Sequence, residues 1–453
     1  MIELYDHQKT ALNLLRLNDG FALFMEQGTG KTFPVLFRLC ELARTKRISS
    51  GLIIAPKAVC AGWYDKIEQL SDAQKQSLAK IDLKIVSYDL VWRRDEYKKA
   101  RFDCVVFDES HYIKSPSAKR TKACLAIALK AKYRYALTGT PTSNGQLCNL
   151  WSQITAIDPV EPSRRGYPAY PGAFGGDSYY KWLDRVAYLD QWHKPYKYRR
   201  VDEIQDVLGE LSYSIKKEDC LDLPEKLPDE ILYIDLARDV KRLYKDMAKH
   251  SVILELDEGY DLLAPNPVTR LLHLRQLASG FVSDERKRIH EFSNPKITAL
   301  KEFLSDFDSK VVIFCEFTHS IDKVSELLDS MKWKHVVLDG RSKDSSIWRK
   351  FQDDDSVRAI VVQSKSGSAG IDLYASDTCI FFEPPISSNI VEQARDRIHR
   401  PGQTNKCSYY FMLTSGTVEF AIYKALLNYQ DFGEALFTRY LDEYTKGAKL
   451  DET

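Results

Sequence analysis

Three groups of residues in this chain have the types and spacing for phosphate chemistry. The first is Met25-Glu-Gln-Gly28-Thr29-Gly30-Lys31-Thr32. Gly28 and Gly30 let backbone N–H groups approach phosphate oxygens, Lys31 supplies positive charge, and the Thr32 hydroxyl can ligate magnesium. The second is Asp108-Glu109-Ser110-His111. Asp108 can hold magnesium through its water shell, and Glu109 can orient or deprotonate an attacking water. The third lies towards the C-terminus, where Gln393-Ala-Arg-Asp-Arg397-Ile-His-Arg400-Pro-Gly-Gln403 sets two arginines three residues apart. That spacing predicts a pair on one face of a helix. Such a pair is usually a solvated surface feature, but an ATPase built from two lobes needs cations of this kind aimed across its cleft at the γ-phosphate.

The elements around these groups support the chemistry. The apolar run Phe21-Ala-Leu-Phe24 reads as a buried strand and a helical pattern follows Thr32, so strand, glycine loop and helix occur in the order a phosphate loop requires. Met25 stands where the common pattern has its first glycine, and taken alone the loop could be an ordinary glycine turn. Phe102-Asp-Cys-Val-Val-Phe107 is an apolar strand that runs straight into Asp108. Paired acids are usually solvated turn residues; at the tip of a buried strand, downstream of a phosphate loop, they have a chemical role. Apolar strands alternate with helical patterns from about 21 to 137 and again from about 311 to 382. This predicts an α/β fold of two lobes with parallel sheets, with ligands outside the carboxyl ends of the strands and the nucleotide in the cleft between lobes.

Composition narrows the class. A chain of 453 residues exceeds what one core usually supports, and 44% apolar residues are ample for packed cores. Nine cysteines without a CxxC pair fit neither a disulfide framework nor a zinc ribbon and point to a reducing compartment. No long apolar run or signal peptide is present, so the expectation is a soluble cytoplasmic protein with no membrane partner. A net charge of +1 gives no global basic signature; a nucleic-acid site would have to be a local patch. Basic clusters occur at Arg164-Arg165, Arg199-Arg200 and Lys114 to Lys122, although such runs usually mark a solvated face.

Taken together, Gly28 to Thr32, Asp108 to His111, Leu137-Thr138-Gly-Thr140-Pro141 and Gln393 to Gln403 resemble a superfamily 2 helicase, and more narrowly the Snf2 family of double-stranded DNA translocases. Tyr5-Asp-His-Gln8, Leu52-Ile-Ile-Ala-Pro56-Lys57, Ser87-Tyr88, Val312 to Phe317 and Ser366-Gly-Ser-Ala-Gly370-Ile-Asp-Leu373 follow in the family's order. The narrowing rests on Arg397 to Gln403, on Lys217 to Lys226, and on Leu274 to Gly280. Two departures stand out: Ile215-Lys216-Lys217 where the family usually has an Arg pair, and Asp372 where asparagine is common. Neither is expected to touch the hydrolytic machinery.

The resemblance implies two RecA-like lobes with helical insertions between them. Residues 1–225 would form the first lobe, with an ATP-binding core to about 157 and an insertion over about 158–225. Residues 226–453 would form the second, with a helical insertion over about 236–290, a core over about 294–430, and a C-terminal helix and tail over 431–453 that frays from Asp442 onward. Leu223-Pro224-Glu-Lys-Leu-Pro228 divides the lobes, since two prolines interrupt any regular element.

The resemblance also implies site roles. Gln8 would read the adenine edge, Gly370 would line the nucleotide, and Thr138 and Thr140 would link phosphate state to lobe movement. Gln393, Arg397 and Arg400 would act with Lys31, Asp108 and Glu109 on ATP and Mg2+. Lys57, Ser87, Thr318 and Ser366 would follow phosphates of a DNA strand. Within the first insertion, Tyr179-Tyr180-Lys-Trp182 and Lys194 to Arg200 interleave rings and cations, a nucleic-acid signature against which simple packing of a small helical subdomain is the commoner reading.

The expected function is an ATP-dependent translocase on double-stranded or branched DNA, a monomer being plausible, with little room for appended domains, as in a compact phage or bacterial member. A strand-separating helicase and a nucleotide-switched binding module without turnover remain open alternatives.

Overall fold

The computed structural model describes all residues except 1, 58, 143–144, 160–171, 258–259, 343–345, 368–370 and 448–453. Arg164, Arg165 and Gly370 therefore lie outside the described residues. The chain divides into two compact units, Met1–Asp222 and Leu223–Thr453.

The first unit is built on strands β1 (Gly20–Leu23), β2 (Ser50–Ala55), β3 (Asp82–Ser87), β4 (Cys104–Asp108) and β5 (Tyr133–Leu137). A hairpin, β6 (Ala187–Leu189) and β7 (Pro195–Tyr198), precedes a two-residue strand β8 (Ser212–Tyr213). The sheet order is β3-β2-β4-β5-β1-β8, with every pair parallel. Parallel strands covered on both faces read as continuous apolar runs, and alternate residues enter opposite layers. In β4, Cys104 and Val106 pack with Val35, Leu36 and Leu39 of the helix Thr32–Arg44, whereas Val105 and Phe107 pack with Ile113, Cys124 and Ile127.

The second unit repeats the design. It comprises β9 (Lys226–Ile234), the hairpins β10 (Val252–Asp257) with β11 (Tyr260–Leu263) and β12 (Phe281–Ser283) with β13 (Ile289–Glu291), and then β14 (Val311–Cys315), β15 (His335–Leu338), β16 (Ala359–Gln363), β17 (Thr378–Phe381) and β18 (Cys407–Thr414). The order β15-β16-β14-β17-β18-β9 is again all parallel. In β14, Val312 and Phe314 face one core while Val311, Ile313 and Cys315 face the other. The expected α/β fold with two parallel sheets is thus present. Among the described residues no helix is long and apolar enough to cross a membrane.

Three local expectations are corrected. The segment between the cores is not wholly helical, since hairpins accompany the helices Arg238–His250 and Pro267–Ala278. Pro228 does not interrupt regular structure: β9 runs through it. An edge strand tolerates proline because its outer N–H groups need no ladder partner, and the register against β18 shifts between Cys407 and Tyr409, opposite Lys226 and Asp229. The tail is helical past Asp442, as Glu434–Thr445 buries Phe437 and Tyr440.

Lys296, at the start of the helix Pro295–Ser305, clamps the second unit. Its buried ammonium donates to the Phe382 carbonyl at 2.9 Å and to Glu419 Oε1 at 2.6 Å, while Glu419 Oε2 accepts the Thr414 N–H at 2.8 Å. One cation thereby joins the end of β17 to the end of β18. Replacing Lys296 by Met leaves Glu419 buried without its partner and is expected to cost about 3–5 kcal/mol in urea unfolding, with Glu419→Gln in the same chain recovering part. A loss below about 1 kcal/mol would show that Glu419 finds another partner or takes up a proton.

Candidate active site

The phosphate loop has the backbone its glycines were expected to supply. Gly28 and Gly30 lie at φ 83° and 78°, left-handed values that side chains resist. A Cβ on Gly30 would stand 2.2 Å from Gln8 Nε2. That amide donates to the Thr29 and Gly30 carbonyls at 3.1 and 3.4 Å, and Gln8 Oε1 accepts the Tyr5 N–H at 3.0 Å. His7 Nε2 also reaches the Thr29 carbonyl, at 2.8 Å. Gln8 and His7 therefore brace the loop from below. Lys31 Nζ donates to the Met25 and Glu26 carbonyls at 3.0 and 3.3 Å, and Thr32 opens the helix behind.

Asp108 is the last residue of β4 and is only 6% exposed. Its Oδ2 accepts the Trp63 indole N–H at 2.8 Å, its Oδ1 accepts the Glu109 N–H at 3.0 Å, and its backbone carbonyl accepts the Tyr88 hydroxyl at 2.9 Å. Burial, helped by the neighbouring Glu109 charge, pushes its carboxyl up to about 6, and Trp63, Lys66 and Lys31 oppose the rise. Lys66 Nζ donates to Thr32 Oγ1 at 2.9 Å, so a second lysine stands beside the oxygen donors. Glu109 has left-handed backbone (φ 51°, ψ 53°), a strained state for a non-glycine residue that is commonest at functional positions. Thr138 Oγ1 donates to Glu109 Oε2 at 3.4 Å and lies 3.0 Å from His111 Nδ1, itself 3.3 Å from Glu109. Thr138 thereby links the tips of β4 and β5, and Thr140 N–H closes back on its Oγ1 at 3.1 Å.

The chemistry of this set fits ATP with magnesium. Thr32 and Asp108 are hard oxygen donors, and Asp108 is a desolvated carboxylate that a cation would stabilise. Among the described residues, neither amide atom of Gln27 has a hydrogen-bond partner although the residue is buried directly before the glycine loop. A polar ligand at the loop would satisfy it.

In the second unit the arginines differ from expectation. The helix Ser388–Ile398 carries Gln393 and Arg397 but stops before Arg400, so the pair does not share a helix face. The guanidinia converge all the same: Arg397 Nη1 and Arg400 Nη1 donate to the Ile371 carbonyl at 3.4 and 2.7 Å. Arg400 also pairs with Asp372. Gln393 Nε2 donates to Asn389 Oδ1 at 3.4 Å. Of the two departures from the family pattern, Asp372 touches a candidate catalytic residue, whereas Ile215–Lys217 meets the segment before the phosphate loop through its own backbone atoms. Asp372 holds Arg400, and Ile215–Lys217 is tied to that segment by Glu26 N–H to the Ile215 carbonyl (3.0 Å) and Lys217 N–H to Glu26 Oε2 (2.8 Å).

The four candidate backbone-contact residues lie at carboxyl ends of neighbouring strands. Lys57 is exposed just after β2, and Ser87 ends β3, where its Oγ accepts the Leu90 N–H at 3.3 Å as a helix cap. Thr318 is exposed beyond β14, and Ser366 follows β16, the strand paired with β14. Trp63 and Lys66 stand in no motif of the sequence, and the motifs that include His7 and Tyr88 gave neither residue a role. Their partners, Thr29, Asp108 and Thr32, are distant in sequence, so no local pattern signals these contacts.

A phosphate loop beside a strand-tip acid pair, in a parallel sheet followed by a second parallel unit with clustered arginines, defines a nucleotide-dependent helicase-like class. Residues 7–279 match the SNF2-related domain and residues 295–402 the helicase conserved C-terminal domain. The chain belongs to the SNF2-related family. It is 26% identical over 446 residues to an uncharacterised ATP-dependent helicase of Mycoplasma genitalium, covering 91% of this chain and 40% of that protein. It is 23% identical over 448 residues to the SWI/SNF-related regulator of chromatin subfamily A-like protein 1 of Xenopus tropicalis, covering 91% and 42%. The chain thus spans about two fifths of the length of these curated relatives. A Sulfolobus solfataricus SWI2/SNF2 ATPase core in complex with dsDNA is similar at 23% identity and TM-score 0.42, covering 99% of this chain and 94% of that one.

Asp108 yields a pH prediction. Its folded value is raised from 3.8 to about 6, so the native state holds this proton more tightly than the unfolded chain, and stability falls as pH rises through that window. Without nucleotide or divalent cation, Asp108→Asn should raise Tm at pH 8, by the equivalent of at most about 3 kcal/mol, with the gain vanishing towards pH 4. A gap between variant and wild type that does not change with pH would show that Asp108 is not desolvated.

Proposed function

We propose that this chain is an ATP-dependent motor that tracks along double-stranded DNA and acts on branched DNA. The observation that carries the ATPase part is the buried Asp108 carboxylate, raised by desolvation, at the strand tip beside Thr32, Lys66 and Lys31. Such a group is stabilised by the cation that accompanies nucleotide phosphates. Gly28 to Gly30 present N–H groups to phosphate oxygens, Lys31 turns from its loop carbonyls to the β/γ-phosphates, and Thr32 and Asp108 would hold magnesium. Bound magnesium supplies charge neutralisation at those phosphates. Glu109 orients the attacking water and takes its proton, steadied by Thr138 and His111. Gln8 contributes to the adenine end, and Arg397 and Arg400 of the second unit supply charge to the transition state.

For the DNA part, support comes from family membership and from the placement of Lys57, Ser87, Thr318 and Ser366 at carboxyl strand ends. Contacts of these kinds grip phosphates and carry no base information, so tracking is sequence-independent. ATPase assays with no nucleic acid, single strand, duplex, fork and four-way junction test the reading, together with displacement of a triplex-forming strand. Duplex-stimulated turnover and triplex displacement with plain forks left annealed are expected. Robust fork opening without triplex displacement would make the protein a strand-separating helicase, and ATP binding without turnover would make it a nucleotide-switched binding module.

Lys31→Ala and Glu109→Gln should both abolish turnover, the second while retaining ATP binding. Retention of more than about a tenth of kcat in Glu109→Gln would remove its role as base, since such groups usually contribute 10²–10⁴-fold. Arg397→Lys and Arg400→Lys should each lower kcat far more than ATP affinity, because an ammonium lacks the planar fork; a loss under about tenfold at both would assign the pair to structure, a finger being worth about 10³–10⁵. Asp372→Asn removes the partner that holds Arg400. An ion pair this exposed is worth about 0.2–1 kcal/mol, so DNA-independent kcat should rise by up to about fivefold, and a fall would instead mean that Asp372 holds Arg400 in its working pose.

A further inference from the structure

The aromatic residues of the first insertion include buried rings on the helix Tyr179–Val186, where Tyr180 alone is 69% exposed, and exposed rings on the β6–β7 hairpin. Trp182 is buried against Phe174 at 4.9 Å between ring centroids, and Tyr179 packs edge-on to Trp151 at 5.7 Å. These rings are core, as their helical spacing allows. Tyr188, Trp192 and Tyr196 are not: Trp192 and Tyr196 are each 70% exposed, and all three belong to the β6–β7 hairpin or its tip. Leaving three large rings in water on fourteen residues is unfavourable unless something covers them.

The tip is built to present Trp192. Asp190 Oδ1 accepts the N–H groups of Trp192 and Lys194 at 2.9 and 2.8 Å, Asp190 N–H donates to the Lys194 carbonyl at 2.9 Å, and His193 takes a left-handed φ of 60°. The rings of Tyr188 and Tyr196 lie 6.4 Å apart, and the Arg199 guanidinium sits 4.9 Å over Tyr188. Lys197 is paired opposite Tyr188 across the hairpin. Over residues 187–200 the basic side chains are Lys194, Lys197, Arg199 and Arg200, and the one acidic side chain is Asp190, whose carboxylate shapes the tip. On a chain whose net charge is only +1, this is a local cationic surface carrying flat rings.

A protein partner would be matched by apolar surface with mixed charge. Arg200 is paired with Glu203, which leaves flat rings interleaved with Lys194, Lys197 and Arg199, a match for unstacked bases on a phosphate backbone. We propose that the β6–β7 hairpin is a base-stacking site for unpaired nucleotides of DNA, with Trp192 and the Tyr188–Tyr196 pair as platforms and Lys194, Lys197 and Arg199 on the adjoining phosphates. This rests on the DNA-motor reading and adds a site for the single-stranded segment where a branch or fork leaves the duplex.

The test uses the full chain and fluorescence anisotropy with three labelled DNAs: plain duplex, a single-stranded oligothymidylate, and a fork with one unpaired arm. Trp192→Ala should weaken single-strand and fork binding at least about fivefold, stacking being worth 1–3 kcal/mol per base, and leave duplex binding within about twofold. Trp192→Phe, which keeps a ring, should retain most of the affinity, and Lys194→Ala with Lys197→Ala should flatten the salt dependence for single strand. Unchanged circular dichroism checks the fold of each variant. Equal loss on duplex and fork, loss on neither, or wild-type indifference between them would overturn the stacking site. Duplex-stimulated ATPase in the same preparations separates the two readings: its absence in wild type sinks the motor, whereas a selective single-strand defect in Trp192→Ala upholds the hairpin site regardless.

Discussion

The interaction on which the first unit's chemistry depends is the desolvation of Asp108. A carboxylate at the end of an all-parallel, doubly covered strand has little water to stabilise it, and the fold compensates with an indole N–H from Trp63, the backbone N–H of Glu109 and the nearby charges of Lys31 and Lys66. These partners come from the helix Cys60–Glu68, from the strand tip and from the phosphate loop, so the acid fixes where three elements meet. Tyr88 holds the backbone of the same residue from β3's end. Packing sets the position of every donor, and the site inherits the rigidity of the sheet.

A second constraint is close approach at glycines where no Cβ fits, joined at Gly30 by a positive φ. At Gly30 the limiting neighbour is Gln8, and at Gly139, in the turn beyond β5, it is the backbone N of Gln27, 2.9 Å from where a Cβ would lie. Loop, N-terminal helix and β5 turn are therefore packed too closely for side chains at those two positions. The same closeness brings the Gln8 amide within reach of the loop carbonyls that it braces.

In the second unit the corresponding organiser is a carbonyl. Ile371 accepts from both Arg397 and Arg400, which have left a common helix face because the helix ends at Ile398. Proline at 401 is compatible with that ending, since it cannot continue a helix. Asp372 then neutralises Arg400, so a residue that read as a peripheral departure sits on a candidate catalytic cation.

The sequence by itself determined the α/β class, the strand-loop-helix order of the phosphate loop, the strand-tip acids and the presence of two nearby arginines, because each is a local pattern: a continuous apolar run, glycines before a helix, charges at fixed spacing. What it could not reveal are contacts whose partners are distant in the chain, such as Trp63 and Tyr88 on Asp108, Lys66 on Thr32, or Lys217 on Glu26. Nor could it divide the insertion's aromatics into buried Trp182 and exposed Trp192, since both lie among tyrosines and lysines and differ only in what the fold packs against them. Local patterns fix which backbone forms; only tertiary packing decides which side chains lose water, and that loss of water sets pKa, partner and role.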